Sequence, residues 1–302
     1  MRYHLNVLRF AQRLALTVAA SGLAAFGLTF VTTDTAVAEF EIQESGVEKG
    51  EVELEYRGAV HWGFPRRERE SAEEGEGGGA LDEEEEGEFL RQSHDIELQW
   101  SVTDRWMLST ALSADEPLDE DFDVSSVEFE PQYELVERDG NGFGLAFLGA
   151  YGFATRGGEA DEIEFGPIVE LASGRALLTT NTFFTSQVGE HRETDGLGFE
   201  YGWRAQYGVA KKWGIGVEMF GEIEDLSNAG SFNDQQHSIG PTLFFNPGGD
   251  DDDDDNGNGN GNVNDKVAGP AKAEFSMNVG VQFGLTDLTS DTALKFQGGL
   301  EF

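Results

Sequence analysis

The chain has 302 residues, with 20 Lys and Arg against 58 Asp and Glu, and no Cys. Its formal net charge of −38 repels phosphate groups and argues against nucleic acid as a partner, and the lack of Cys excludes disulfides and thiol-ligated metals. With 23 Phe and 5 Trp, the chain is too rich in aromatic residues for a disordered acidic protein, so most of it is expected to fold.

The first 38 residues have the layout of a secretory signal peptide. Three Arg residues form a basic start, an apolar stretch follows at residues 14–31, and Ala36-Val37-Ala38 supplies the small residues that signal peptidases require. We predict cleavage between Ala38 and Glu39, with an uncleaved membrane anchor as the alternative. Residues 39–50 are assigned to a periplasmic N-terminal segment.

After residue 50, apolar and polar residues alternate in segments of about ten residues, which is typical of transmembrane β-strands. This periodicity predicts an all-β protein, a single antiparallel up-and-down transmembrane β-barrel of about twelve strands. Very short connections, such as Thr103-Asp104 and Ser173-Gly174, alternate with longer ones and exclude helical crossovers. The strands are predicted near 51–63, 93–102, 105–113, 125–137, 143–154, 161–172, 175–187, 197–209, 213–224, 235–245, 272–284 and 292–302.

A secreted β-sandwich is the main alternative, because it also has alternating strands. The membrane barrel is favoured by the strong contrast between the two faces of each strand. It is also favoured by Trp100, Trp106, Tyr207 and Trp213, which flank short turns where interfacial aromatic rings are expected. These features predict the outer membrane of a Gram-negative bacterium, with outer-membrane lipid as a partner.

Several short pieces carry a resemblance. Residues 164–170 (EFGPIVE), 237–241 (HSIGP), 284–287 (GLTD) and the terminal Leu300-Glu301-Phe302 are similar to proteobacterial outer-membrane barrels of uncharacterised function, some loosely grouped with transporters of aromatic-degradation operons. The resemblance covers about residues 93–302 as strand layout. It implies that Phe302 ends a C-terminal signal read by the barrel assembly machinery, and it transfers no catalytic residue.

Alternation places many carboxylates and few bases inside the predicted barrel. A dry interior could not hold so many unpaired acids, because each uncompensated buried charge costs several kcal/mol. We therefore expect a channel or transport barrel that favours cations or small solutes; a structural or adhesion-type barrel with a plugged lumen is the alternative. The predicted acids are Glu53, Glu55, Glu97, Glu128, Glu130, Glu134, Glu162, Glu164, Glu170, Glu200, Glu218 and Glu222, and the bases are Arg57, Arg204 and Lys295.

Two acidic insertions, at about 66–88 and 248–268, interrupt the strands and are predicted to be disordered. In the second, Asp252, Asp254 and Asn256 match half of a calcium loop, but Val263 stands where the bidentate Glu is needed, so only weak cation binding is expected. Strict alternation puts this insertion on the periplasmic side, unless the strand count slips by one. No cofactor motif is found, and no nucleophile, base and orienting group can be assembled, so an enzyme is not predicted.

Overall fold

The computed structural model describes residues 40–63, 90–117, 121–192, 194–247 and 274–302. The predicted signal peptide, with its Ala38–Glu39 cleavage site, and both predicted disordered insertions lie outside the described residues. So do Asp252, Asp254 and Asn256. The described strands, in chain order, are β1 Val52–Trp62, β2 Leu90–Ser101, β3 Trp106–Pro117, β4 Asp123–Val136, β5 Gly142–Ala154, β6 Asp161–Ser173, β7 Ala176–Val188, β8 Phe199–Ala210, β9 Trp213–Ile223, β10 Gln236–Phe245, β11 Glu274–Gly284 and β12 Thr292–Glu301.

Each strand pairs antiparallel with its neighbours in the sequence, and β1 pairs with β12 to close the sheet. The closing register joins Glu53 to Glu301 and Trp62 to Thr292. The predicted twelve-stranded up-and-down barrel is thereby confirmed. Among the residues that the structure describes, no helix is long and apolar enough to cross a membrane.

Two strands are longer than predicted. β2 begins at Leu90 rather than near residue 93, and β3 continues to Pro117 rather than ending near residue 113. The run of small and acidic residues at the end of β3 has the composition of a turn. It nevertheless stays in the sheet, because Asp115 faces inward and forms an ion pair with Arg156.

The barrel has two different ends. Four connections of two to five residues join β2 to β3, β4 to β5, β6 to β7 and β8 to β9 at one end, here called the short-turn end. The connections that join β1 to β2, β3 to β4, β5 to β6, β7 to β8, β9 to β10 and β11 to β12 lie at the opposite end, here called the long-loop end. Phe245 of β10 pairs with Trp213, and Glu274 of β11 pairs with Glu301, so both strand ends that flank residues 246–273 lie at the short-turn end. The topology therefore follows strict alternation, without a slip of one strand.

Burial alternates along the strands in the reverse of the soluble pattern. On β9, Ile215 and Val217 are about half exposed on the outer surface. Glu218, the next residue after Val217, is fully buried inside the barrel. Trp100, Trp106, Tyr207 and Trp213 are about half exposed and all lie near the short-turn end. An apolar exterior with a polar interior and an aromatic belt is the arrangement of barrels that span a membrane.

Candidate functional site: an acidic lumen and its N-terminal segment

The structure places the predicted lumen residues on the inward face of the strands, at different depths. Arg57, Arg204 and Lys295 are buried, as are Glu55, Glu97, Glu130, Glu134, Glu170, Glu218 and Glu222. Glu53, Glu128, Glu162, Glu164 and Glu200 are half-buried. These residues divide into an ion-paired group in the middle of the barrel and a second group near the long-loop end.

Residues 40–50, here called the N-terminal segment, enter the barrel rather than staying outside it. Gly50 donates a backbone hydrogen bond of 2.8 Å to Ser101 at the short-turn end. At its other end, Phe40 packs on Phe220 from β9 with ring centroids 5.2 Å apart. Residues 39–50 were predicted to form a periplasmic segment, whereas residues 40–46 lie against the inward faces of the strands. Their polar side chains find partners on the inward faces of the strands.

The N-terminal segment bridges strands on different sides of the lumen. The backbone N–H of Gln43 donates to Asn181 Oδ1 at 2.6 Å, and Asn181 Nδ2 donates to the backbone carbonyl of Gln43 at 2.9 Å. Glu44 forms an ion pair of 2.5 Å with Arg204, and Ser45 donates to Glu170 at 2.6 Å. Gln43 also contacts β4, Glu41 contacts β1, and Phe40 contacts β9 and β12. Together with the contacts to β6, β7 and β8, the segment touches seven strands. It therefore lies across the lumen.

Arg57 organises the largest ion cluster in the middle of the lumen. Its Nη1 atom lies 2.9 Å from Glu55 and 2.7 Å from Glu97, and it also contacts Glu41 of the N-terminal segment. These three carboxylates form the single acidic group in the described part of the chain whose ligand atoms converge within 4.8 Å. Because the Arg57 guanidinium donates to all three, the cluster already holds its cation and is not a candidate metal site.

The remaining inward bases are paired as well. Lys295 Nζ lies 2.6 Å from Glu218, which also accepts a 2.6 Å hydrogen bond from Thr242. Arg138 Nε lies 3.2 Å from Glu170, a pairing that alternation did not indicate because Arg138 belongs to a turn. Glu55, Glu97, Glu170 and Glu218 are therefore balanced by bases within the barrel.

A cavity of about 220 Å³ lies beyond the N-terminal segment, toward the long-loop end. We call it the acidic vestibule. Asp115, at its edge, is paired with Arg156. Leu90, Ala150 and Phe183 supply apolar lining. The acids that line the vestibule are Glu41, Asp95, Asp115, Glu128, Glu130, Glu159, Glu162, Glu164 and Glu200.

Two carboxylates that line the vestibule, Glu162 and Glu164, and the neighbouring Glu222 have no base beside them. In the described ranges, Glu162, Glu164 and Glu222 form no hydrogen bond or ion pair, and the buried Oε2 atom of Glu222 lacks a partner. Glu222 lies in electrostatic contact with Glu162 and Glu164. Gly152 pairs with both Glu128 and Glu162, and a Cβ atom there would lie only 3.3 Å from Glu128 Oε1. The small residue lets these acids share one space.

The short-turn end carries a separate acidic group outside the membrane-spanning strands. Glu51 precedes β1, and its burial together with the nearby carboxylates of Glu301 and Glu48 raises the pKa of Glu51 to about 7. Near neutral pH this carboxyl is therefore partly protonated, which reduces repulsion where β1 and β12 close the barrel.

The lumen defines the protein as a polar-lined β-barrel with an internal segment. No family model and no curated protein matches the sequence. OprD of Pseudomonas aeruginosa matches over 72% of this chain and 61% of its own length, with 12% identity and a TM-score of 0.34. LpxR from Salmonella typhimurium matches over 83% and 99%, with 10% identity and a TM-score of 0.36.

A Pseudomonas aeruginosa FadL homologue matches over 85% of this chain and 90% of its own length, with 8% identity and a TM-score of 0.33. The chain thus spans less than two thirds of the length of OprD. These values describe distant similarity only.

Proposed function

We propose that this protein is a bacterial outer-membrane transport barrel that admits cations through the acidic vestibule, with the N-terminal segment closing the passage in the conformation described. The observation that carries the proposal is a group of base-free carboxylates, namely Glu162 and Glu164, which line the vestibule, and Glu222, which interacts electrostatically with both. Rings of carboxylates attract cations and repel anions, and screening by salt is weak inside a narrow passage.

The location of the paired charges supports this proposal. Arg57, Arg204 and Lys295 are each bound to carboxylates, so none presents a free positive charge that would repel an entering cation. The N-terminal segment is held by hydrogen bonds and ion pairs rather than by a continuous strand ladder. Such contacts can be exchanged for water, so movement of the segment requires no opening of the barrel wall.

Planar bilayers test the proposal directly. We would compare the full mature chain with a variant that lacks residues 40–46, in a potassium chloride gradient. The mature chain should show brief openings, and the deletion should raise the mean conductance by about tenfold or more, because the contacts that hold the closed state are lost. Reversal potentials of both forms should indicate cation preference.

Two triple variants in the deletion background connect selectivity to the vestibule. Glu162→Gln, Glu164→Gln and Glu222→Gln together should move the reversal potential toward zero. Glu48→Gln, Glu137→Gln and Glu274→Gln remove the same charge from exposed positions at the short-turn end, where solvent screens it, and should have a smaller effect. Anion preference, or no conductance from the deletion variant, would overturn the proposal.

A structural barrel with a permanently closed lumen is the second candidate. It is favoured by one observation, the contact of the N-terminal segment with seven strands, in which Gln43 and Ser45 are buried. A deletion variant that folds, as judged by circular dichroism in detergent, and still does not conduct would favour this candidate.

A further inference from the structure

Phe40, at the inner end of the N-terminal segment, covers one side of the lumen. Its ring stacks on His61 of β1 with centroids 5.5 Å apart, and it meets Phe220 of β9 edge-on at 5.2 Å. In the barrel wall, β12, β11 and β10 lie between β1 and β9. A ring that contacts both ends of this arc lies across the inward side chains of the strands between them.

The sheet register shows which side chains Phe40 covers. His61 pairs with Ala293 of β12, and Ala293 pairs with Gln282 of β11. Glu218 of β9 pairs with Gly240 of β10, the strand next to β11. We call this inward row, formed by His61, Ala293, Gln282 and Glu218, the polar wall.

The polar wall contains polar atoms that lack partners. Gln282 is 1% exposed, and among the described residues neither its Nε2 nor its Oε1 atom has a hydrogen-bond partner. The His61 Nε2 and Glu218 Oε1 atoms are also buried without a partner. A buried amide that neither donates nor accepts is costly, and a phenyl ring offers it neither group. These atoms therefore favour a state in which water reaches them.

The opposite side of the lumen has no such requirement. β5, β6 and β7 lie across the twelve-stranded ring from β11, β12 and β1. Of the buried polar atoms without a partner in the described ranges, none belongs to β5, β6 or β7. Instead, these strands carry a packed apolar cluster of Ala146, Leu148, Ile168 and Phe183. Water that enters the middle of the lumen is therefore expected to follow the polar wall.

We propose that Phe40 is the side chain that holds the passage closed, and that the passage opens along the polar wall when this ring withdraws. Burial of the ring between His61 and Phe220 favours the closed state, whereas the unhydrated Gln282 amide opposes it. Lys295, the base nearest to Phe40, is paired with Glu218 and presents no free charge to an entering cation. This inference rests on the proposed function and adds the residue that regulates the passage and the route of the solute.

Thiol labelling tests the route without relying on conductance, because the chain has no Cys of its own. Ala293 of the polar wall and Ala146 of the apolar cluster are both inward and at most 2% exposed, so Ala293→Cys and Ala146→Cys form a matched pair. A cationic, water-soluble methanethiosulfonate reagent would be applied to the folded protein in detergent. Adding Phe40→Ala should speed labelling of the Ala293→Cys variant by about tenfold or more and leave the Ala146→Cys variant within about twofold.

Slower migration of boiled than unboiled samples, or the reverse, would show that each variant is folded. An equal rise at both positions would indicate general loosening of the barrel and would overturn the proposal. No rise at Ala293→Cys in folded protein would also overturn it.

A second variant should act in the opposite direction. Gln282→Leu removes the unpartnered amide at similar volume, stabilises the covered state and should slow labelling of the Ala293→Cys variant by about threefold or more. Gln132→Leu is the same substitution at another buried inward position, where the amide donates to the Glu44 carbonyl of the N-terminal segment at 3.0 Å. It should not slow labelling, because it removes a contact of the closed state. Faster labelling in the Gln282→Leu variant would contradict the proposal.

The two proposals can fail separately. If the variant that lacks residues 40–46 conducts cations while Ala293→Cys stays unreactive beside Phe40→Ala, the proposed function stands and the route is refuted. If labelling follows the expected pattern and no variant conducts, the role of Phe40 stands and cation transport is refuted.

Discussion

Arg57 shows how a single residue balances the acids of the barrel interior. Its guanidinium contacts Glu41, Glu55 and Glu97, so it joins the N-terminal segment to two neighbouring strands. A guanidinium suits this position because its donors lie in a fixed plane and its charge persists at every working pH. The cluster stabilises the barrel only while all of its members are present.

Replacing Arg57 by Gln should therefore destabilise the protein strongly. The change leaves three carboxylates close together without a cation, which we expect to cost about 3–5 kcal/mol. Urea-induced unfolding of the detergent-folded protein, followed by tryptophan fluorescence, would measure the loss. Adding Glu41→Gln and Glu97→Gln to Arg57→Gln removes the repulsion and should recover part of that stability. A single variant as stable as the parent would contradict the assigned role of the cluster.

At the scale of elements, the strands were predictable and the N-terminal segment was not. Side chains of a β-strand alternate between its faces, so the polar and apolar pattern shows each strand and its inward set directly. The N-terminal segment joins no ladder; it is held by side chains of residues up to 255 positions away, such as Lys295 with Phe40. Local periodicity carries no information on contacts of this kind.

The division between paired and base-free acids also required the structure. The alternation of polar and apolar residues predicts that Glu162 and Glu218 both face the lumen, and it does not distinguish between them. The register of the sheet then placed Lys295 beside Glu218 and left Glu162 near Glu128. Arg138 and Arg156, which pair with Glu170 and Asp115, lie outside the strands, so inward alternation could not include them.

A disulfide can test whether the N-terminal segment closes the passage. The chain has no Cys, so Gln43→Cys with Asn181→Cys introduces one defined pair. The two hydrogen bonds between these residues keep them close, as a disulfide requires Cα atoms within about 7 Å. Oxidised protein should show no openings in bilayers, and reductant should restore them.

Each single Cys variant serves as the control for that experiment and should conduct equally with and without reductant. A gel of the protein cleaved between the two positions would show that the crosslink has formed. Openings that persist in fully crosslinked protein would contradict a closing role for the segment.

The molecule as a whole has an apolar exterior and a polar interior, the opposite of a water-soluble globular protein. This distribution determines whether it can stay dispersed in water. Side chains such as Leu54, Ile96 and Phe129 are exposed on the outside, whereas the carboxylates and bases are enclosed. Lipid or detergent has to cover the outer surface, because an apolar surface of this extent drives association in water. The polar interior, in turn, needs the closed sheet, since an open edge would expose unpaired backbone groups to lipid.

Closure of the barrel therefore should govern its stability as a unit. Protein refolded from urea into detergent should give a β-rich circular dichroism spectrum, and unboiled samples should migrate differently from boiled samples in SDS gels. Removing residues 292–302 deletes β12, which pairs with β1 through ten residue pairs, and should abolish the unboiled form. Phe302→Ala, which leaves that ladder intact, should retain it. A protein that stays monomeric and soluble without detergent would contradict the membrane-spanning barrel, since its apolar exterior would then have to be compatible with water.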